Sequence, residues 1–298
     1  MKKCDVIITK RRRINLNYLM LMLVVLGVSI QSIAIKAYKN KVQNVAYSFT
    51  VASVFFAMII FIITSGGKLE FTSEILIYSV LFAVSYSAAS VCSFLAISTG
   101  SLSLSSLVIQ YSLIIPTFYG FIMLGESFKA SLIVGILLLL ISLVFINFEG
   151  KEEKKITFKW TIFAFLAFVG NGMCSTVQKV QQLEFGGKYK SELMIVALFI
   201  SIIVLLCFAL FTEKKNITYN LKKGFLWYLI CGIANGIVNL LVLALSSKMP
   251  ASVMFPVISA GGIILTAIVS VTIYKEKLSP QQKTGLILGI ISIIALNI

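Results

Sequence analysis

Long apolar windows without a charged residue follow one another along the chain, separated by short polar stretches. A helix needs roughly 20 apolar residues to cross the hydrocarbon core of a bilayer, and most of these windows reach that length. The charge-free windows are 14–35, 42–67, 75–125, 130–148, 160–178, 193–212, 224–247, 249–274 and 284–298. The pattern therefore predicts membrane-spanning helices that are joined by short connections.

Two windows need adjustment before the helices are counted. The window 75–125 is too long for one helix and carries the segment STGS from Ser98 to Ser101, a turn composition that divides it in two. The last window extends back to Ser279, because the long side chain of Lys283 can carry its charge to the membrane surface. The sequence then predicts an all-α integral membrane protein with ten transmembrane helices.

Composition supports a membrane protein and excludes a soluble globule. The 298 residues are 59% hydrophobic and 12% charged, with a mean hydropathy of +1.00, whereas a soluble domain is about half apolar and a quarter charged. The first apolar run is long enough to span and no small-residue cleavage site follows it, so we expect no cleavable signal peptide. The basic cluster Lys10–Arg13 indicates a cytoplasmic N-terminus; a nucleic-acid arm is less favoured, because such clusters commonly attract anionic lipid.

A repeat relates the two halves of the chain. Four residues recur at a constant offset of 150: Glu126, Gly135, Ser142 and Asn147 match Glu276, Gly285, Ser292 and Asn297. Each half then holds five predicted helices, and because five is odd the second half enters the membrane from the opposite face. The prediction is two inverted five-helix repeats, as in many secondary transporters. The segments are a basic N-terminus at 1–13, the first repeat at 14–149, a polar linker at 150–157 and the second repeat at 158–298.

On these residues the chain resembles the EamA-type family of the drug/metabolite transporter superfamily. The repeats of that family end in a short turn with an acid, a glycine about nine residues later and a final apolar helix. The segments LGESFKASLIVG from Leu124 and YKEKLSPQQKTG from Tyr274 fit this pattern, although Lys275 stands where the first copy has Gly125. The resemblance implies a central cavity between helices 1–4 and 6–9, peripheral helices 5 and 10, and transport of a small metabolite, commonly outward.

The repeated acids and glycines are predicted to be structural. Glu126 and Glu276 are expected in interfacial turns, each before a helix N-terminus, where the helix dipole stabilises a carboxylate by roughly 0.3–1 kcal/mol. Gly135 and Gly285 are expected to let helices approach closely, since lipid gives no hydrophobic drive for their association. The alternative role for the acids is proton coupling, which their distance from a substrate at mid-membrane disfavours.

Polar side chains inside the predicted spans are the candidates for a substrate site, because at membrane depth they must face protein or water. Asn171 and Gln178, for example, share one helix face through their i, i+7 spacing. The candidate residues are Gln31, Ser32, Lys36, Tyr86, Gln110, Tyr111, Asn171, Gln178, Lys179, Asn235 and Asn239. The plainer interpretation of such residues is hydrogen bonding between helices.

Two of these candidates, Lys36 and Lys179, occupy matched places near the ends of predicted helices 1 and 6. Their ordinary role would be to extend the charged group to the lipid headgroups. Alternatively they flank opposite mouths of the cavity and attract a carboxylate or phosphate. The second role would suit a lipid-linked sugar flippase or a flippase subunit, which is the alternative function.

The motifs that are missing narrow the function further. There is no GxxxxGK[ST] phosphate loop, no carboxylate deep in a predicted span and no histidine. We therefore expect no enzyme, catalytic residue, metal or cofactor. The expectation is a facilitative or secondary-active transporter of an amino-acid-like or other neutral or zwitterionic metabolite, with a non-transporting scaffold as a further alternative. The expected partners are this small molecule and the bilayer of the plasma or inner membrane, with both termini cytoplasmic; no nucleic acid is expected, and a homodimer stays open.

Overall fold

The fold is a bundle of helices, seen in a computed structural model that describes residues 2–42, 47–99, 108–126, 130–147, 157–214, 216–272 and 280–296. Within these ranges there are ten main helices and no strand. The helices are α1 (Lys2–Lys41), α2 (Tyr47–Ser65), α3 (Ser73–Thr99), α4 (Ile114–Ile122), α5 (Ala130–Asn147), α6 (Phe158–Glu184), α7 (Lys190–Thr212), α8 (Ile217–Ser246), α9 (Ala251–Thr272) and α10 (Pro280–Leu296). The basic segment Lys10–Arg13 lies within α1, which continues without a break into the first apolar window.

Six of the helices contain a segment that is long and apolar enough to cross a membrane: α1, α2, α3, α6, α7 and α8. Shorter apolar helical segments lie at Val108–Ile122, Ile133–Ser142 and Ala251–Leu265. The chain is therefore an all-helical, multi-pass membrane protein, as the sequence predicts. The count of ten spanning helices stays a prediction.

The spanning helices separate an inner from an outer apolar face, and α7 illustrates this. Leu193, Leu198 and Leu205 are fully buried, whereas Phe199 and Phe211 are exposed on the outside of the bundle. A helix that is apolar all round is stable at such a position only in lipid, where its own backbone hydrogen bonds satisfy every peptide group. The exposed apolar side chains thus form the surface that faces the bilayer.

The last helices of the two halves, α5 and α10, pack on each other through residues of the repeat. Ser142 Oγ donates to the carbonyl of Gly285 at 2.6 Å, and Ser292 Oγ donates to the carbonyl of Gly135 at 2.8 Å. Each repeated serine therefore contacts the repeated glycine of the other half. The remaining repeated residues Glu276 and Asn297 lie outside the described part of the chain.

Most of the larger helix contacts also exchange when the two halves are swapped. α3 packs on α6 as α1 packs on α8, α2 packs on α8 as α7 packs on α3, and α1 packs on α9 as α6 packs on α4. The pairs α2–α7, α4–α9 and α5–α10 join a helix to its own counterpart. Most of the packing therefore runs between the halves, so the core and any cavity within it are shared by both.

A break precedes α4. Residues 108–111 are helical, Ser112 and Leu113 form a turn, and the helix resumes at Ile114. Pro116 lies in the first turn of α4, where a missing N–H removes no helical hydrogen bond. The break places Ser112 and Leu113 in the wall of the cavity described below.

Close packing of α8 on α2 depends on Gly232, which leads to a first prediction. A Cβ atom at this position would lie 2.5 Å from the carbonyl oxygen of Ser53 and 2.7 Å from Cβ of Phe56. Because backbone must shift to relieve such contacts, we expect Gly232→Ala to destabilise the protein by about 1–3 kcal/mol. Thermal unfolding in detergent checks this, with Ile233→Ala, a change at the adjacent lipid-facing position, as the control. Equal stability of the two variants would show that α2 and α8 do not need this close approach.

Candidate functional site

A cavity of about 320 Å³ lies between the two halves of the bundle. Its wall is formed by α1, α2, α3, residues 109–113, α6, α8 and α9. The polar residues of the wall are Gln31, Ser32, Thr50, Ser53, Tyr86, Ser90, Ser93, Gln110, Ser112, Asn171, Ser175, Gln178, Asn235 and Asn239. Among the described residues of this wall there is no Asp, Glu, Lys or Arg, so the cavity is uncharged there, with polar side chains set in a largely apolar wall.

A chain of side-chain amides crosses the cavity wall. Gln178 Nε2 donates to Asn239 Oδ1 at 2.7 Å, and Asn239 Nδ2 donates to Asn235 Oδ1 at 2.8 Å. Asn235 Nδ2 in turn donates to Gln31 Oε1 at 3.0 Å and to the Tyr86 hydroxyl at 3.2 Å. The chain runs from α6 through α8 to α1 and α3, and therefore joins the two halves of the molecule.

Not every polar atom of the wall is used in these bonds. Asn171 Nδ2 donates to Ser93 Oγ and to the Ala167 carbonyl, and Gln178 Nε2 donates to Asn239 Oδ1 and to Met194 Sδ. Within the described residues, Asn171 Oδ1 and Gln178 Oε1 receive no hydrogen bond. The wall is thus partly interhelical packing and partly open to a ligand.

One amide of the wall is wholly open. In the part of the chain that the structure describes, the side chain of Gln110 makes no hydrogen bond. Its backbone carbonyl accepts from Ser259 Oγ at 3.1 Å and from the Leu113 N–H at 3.3 Å. Its Nε2 lies beside Gly262, 3.3 Å from where a Cβ atom of that residue would be. Gln110 can therefore donate to and accept from a molecule in the cavity.

The structure brings most of the predicted site residues together. Eight of the eleven line the cavity: Gln31, Ser32, Tyr86, Gln110, Asn171, Gln178, Asn235 and Asn239. Tyr111, Lys36 and Lys179 are not among the lining residues. Tyr111 follows Gln110 in the chain and directs its ring elsewhere, because adjacent helical residues point about 100° apart.

Lys179 neither extends to the headgroups nor flanks the cavity, contrary to both roles weighed for it. Its side chain is only 3% exposed, and Nζ donates to the carbonyls of Ser246 at 2.9 Å and Met249 at 2.6 Å. These carbonyls lie at the C-terminal end of α8, where the helix dipole favours a positive charge. Lys179 is therefore a buried cap of α8.

Glu126 stabilises a helix N-terminus, but a different helix from the one expected. Its carboxylate accepts from the backbone N–H of Ala251 at 2.7 Å and of Ser252 at 2.9 Å, at the start of α9 rather than α5. The Lys179 ammonium lies 3.8 Å from the same carboxylate. Glu126 and Lys179 thus hold the α8–α9 turn from its two sides and connect it to the first half of the chain.

Comparison with known proteins identifies this architecture. Residues 158–298 match the model of the EamA-like transporter family. Over these residues the chain is similar to the EamA-like transporter family. A solved structure titled "Crystal structure of protein" is similar to almost the whole chain, with a TM-score of 0.76, 12% identity, and coverage of 94% of this chain and 96% of that one. That likeness shows a shared fold. No curated protein matches the sequence.

The matched family indicates a broad activity. The EamA-like family is one of transporters, so the match over residues 158–298 favours transport of small molecules. The cavity lies between the halves of the bundle, which is where secondary transporters built from repeats hold their substrates.

Sequence analysis missed Glu213, the residue that follows α7. Glu213 is buried, and its carboxylate accepts from the backbone N–H of Tyr47, from Ser48 Oγ at 2.7 Å and from Asn220 Nδ2 at 3.2 Å. It thereby caps the N-terminus of α2 from another helix. The one signal in the sequence was an acid directly after an apolar window, and the adjoining Lys214 made that position look solvated.

Proposed function

We propose that the chain moves a small neutral or zwitterionic metabolite across the cell membrane, as a facilitator or secondary-active transporter. The observation that carries the proposal is the cavity, whose described wall is uncharged and largely apolar, is contributed by both halves and carries a chain of hydrogen-bonded amides. Such a site can replace the hydrogen bonds that a polar solute makes with water. A charged solute would find no opposite charge among the described wall residues.

The same proposal includes alternating access between two inverted five-helix repeats, with ten helices in the membrane. Its support is that helix contacts exchange under a swap of the halves, and that α5 and α10 bond through repeated residues. A site shared by two equivalent halves can open to either side by a rocking movement of one half against the other.

A lipid-linked sugar flippase has no support in the structure. That role needed Lys36 and Lys179 at the cavity to hold a phosphate, but neither residue lines it. Lys179 is instead bonded to backbone carbonyls and lies beside Glu126. The proposal accordingly keeps a small solute rather than a phosphorylated lipid.

For location, we propose the plasma or inner membrane with both termini in the cytoplasm. The cluster Lys10–Arg13 at the start of α1 supports this orientation, since basic residues next to the first span are retained inside. An even number of spans then returns the C-terminus to the same side.

Transport by two cavity variants tests the proposal. Gln178→Leu removes a free carbonyl and leaves Asn239 Oδ1 without its donor, and Asn235→Leu removes the centre of the amide chain. We expect each to lower uptake of the transported solute into liposomes at least tenfold, measured with radiolabelled uracil, glutamine and glucose. This loss corresponds to about 1.4 kcal/mol, within the range for one unsatisfied buried polar group.

The matched control is Ile237→Leu, which changes a lipid-exposed residue of α8 between Asn235 and Asn239. It should leave uptake unchanged. Normal uptake by both amide variants, with normal amounts of folded protein, would place the transport path on another face of the bundle. If the unchanged protein takes up none of the three solutes, this result would contradict the proposed function itself.

A further inference from the structure

The hydrogen-bonding groups of the cavity that have no described partner are acceptors on one wall and donors on others. This arrangement limits which ligands the cavity can bind. α6 presents two carbonyl oxygens without a described donor, Asn171 Oδ1 and Gln178 Oε1. They are seven residues apart, so about two helical turns separate them along one face. This wall therefore accepts hydrogen bonds from a ligand that carries N–H or O–H groups.

The donors lie on other elements. Among the described residues, Gln31 Nε2 on α1 donates only to the Gly27 carbonyl, at 3.4 Å. Because a primary amide carries two N–H groups, one of them is left for a ligand. Gln110 offers a complete amide, which can donate two hydrogen bonds and accept others. A ligand that spans the cavity thus meets acceptors on α6 and donors on α1 and the segment before α4.

Aromatic rings supply the third feature. Phe82 and Tyr86, both in the cavity wall, are stacked with their ring centres 5.6 Å apart and their planes 16° from parallel. The Tyr86 hydroxyl is held by Asn235, which fixes the orientation of the ring. Flat apolar faces of this kind stack well on flat heterocycles.

We propose that the substrate is an uncharged planar ring that carries amide-type N–H and C=O groups, the chemistry of pyrimidine and purine bases. Such a ring presents donors and acceptors along its edge, and side-chain amides pair with these edges by two hydrogen bonds at once. Its faces are apolar enough to lie against the ring of Tyr86. A volume of about 320 Å³ suits a compact ring and is at the small end of ligand cavities. This inference rests on the proposed transport function and narrows it.

The cavity discriminates against the same ring bearing a carboxylate. None of the described wall residues carries a positive charge, and an anion taken out of water without a partner is strongly disfavoured. An amino acid meets the same difficulty at both of its charged groups. The cavity is therefore expected to bind neutral rings and to reject zwitterions, although the proposed function covers both kinds of solute.

Binding to the detergent-purified full-length protein tests this choice. Uracil, hypoxanthine and nicotinamide are compared with orotate and nicotinate, the carboxylate relatives of the first and third, and with glutamine and alanine. We expect at least one neutral ring to raise the unfolding temperature in a dose-dependent way, and its carboxylate relative to bind at least 100-fold more weakly. A shift with glutamine or alanine and none with the rings would overturn the ring proposal and leave the transport function standing.

Gln110→Met provides the matched variant, because it removes an amide that makes no described hydrogen bond within the protein. We expect ring affinity to fall at least tenfold while the unfolding temperature without ligand is unchanged. Tyr86→Leu, which removes the aromatic ring that is accessible from the cavity, should also weaken ring binding. Unchanged ring affinity in both variants would overturn the proposed binding mode. A flat response to every compound, together with no uptake into liposomes, would remove the transport function as well.

Discussion

Lys179→Met is expected to destabilise the folded protein by about 3–5 kcal/mol, the range for breaking a buried ion pair by removing one partner. The substitution leaves the carbonyls of Ser246 and Met249 without their donor and leaves Glu126 without its positive neighbour. The Glu126 side chain is itself only 13% exposed, so water compensates little. Thermal and denaturant unfolding in detergent measure the loss.

A double-mutant cycle separates the ion pair from the helix caps. Glu126→Gln keeps one acceptor oxygen for Ala251 and Ser252, so we expect a smaller loss than with Lys179→Met. The double variant should be more stable than the sum of the single losses predicts, because neither charge is then left alone. Lys248→Met, at an exposed lysine of the same turn, is the control and should change stability by less than about 0.5 kcal/mol. Strict additivity would show that the two charges do not interact.

The same contact bears on transport, because Glu126 belongs to the first half of the chain and the turn that it holds belongs to the second. A rocking movement that separates the halves at this end must loosen the bonds to Ala251 and Ser252. Glu126→Gln should therefore change the rate of uptake more than the affinity for the solute. Equal changes in both would assign Glu126 to static packing alone.

Much of the fold followed from the sequence, because in a bilayer hydropathy decides where helices can lie. The turn composition at Ser98–Ser101 predicted a division, which stays a prediction, because Ser98 and Thr99 are helical and residues 100–107 lie outside the described part of the chain. The face shared by Asn171 and Gln178 follows from helical spacing alone, and both residues line the cavity. Polar side chains in the spanning helices indicated the cavity, because in a bilayer they must face protein or water rather than lipid.

The roles of the charged residues at helix ends did not follow from the sequence. A window of hydropathy shows that Glu126, Lys179 and Glu213 lie near ends, but it does not show which ends meet in the fold. Glu126 was assigned to the next helix in the chain, whereas packing of the halves brings it to α9. Lys179 was placed at the membrane surface, although neighbouring helices cover it completely. Local sequence determines the helix, and only tertiary packing determines the partner.

Glu213 offers a second large effect, because one carboxylate satisfies several groups at the start of α2. Glu213→Leu removes the acceptor for the N–H groups of Tyr47 and Ser48, for Ser48 Oγ and for Asn220 Nδ2. Each buried polar group left without a partner costs about 1–3 kcal/mol, less where water can enter. We expect a total loss of about 3 kcal/mol in unfolding stability.

The part of the protein that loses protection distinguishes a helix cap from a general effect of burying Glu213. Hydrogen exchange measured by mass spectrometry should show faster exchange in the first turn of α2, from Tyr47 to Thr50, while α3 and α7 keep their protection. Glu213→Gln retains one acceptor oxygen and should give an intermediate result, and Glu70→Leu, at an exposed acid, should leave α2 unchanged. If α2 keeps its protection in Glu213→Leu, the carboxylate does not act as its cap. If it frays, α2, α7 and α8 are coupled through one side chain, and the wall residues Phe49 and Thr50 depend on it for their position beside the cavity.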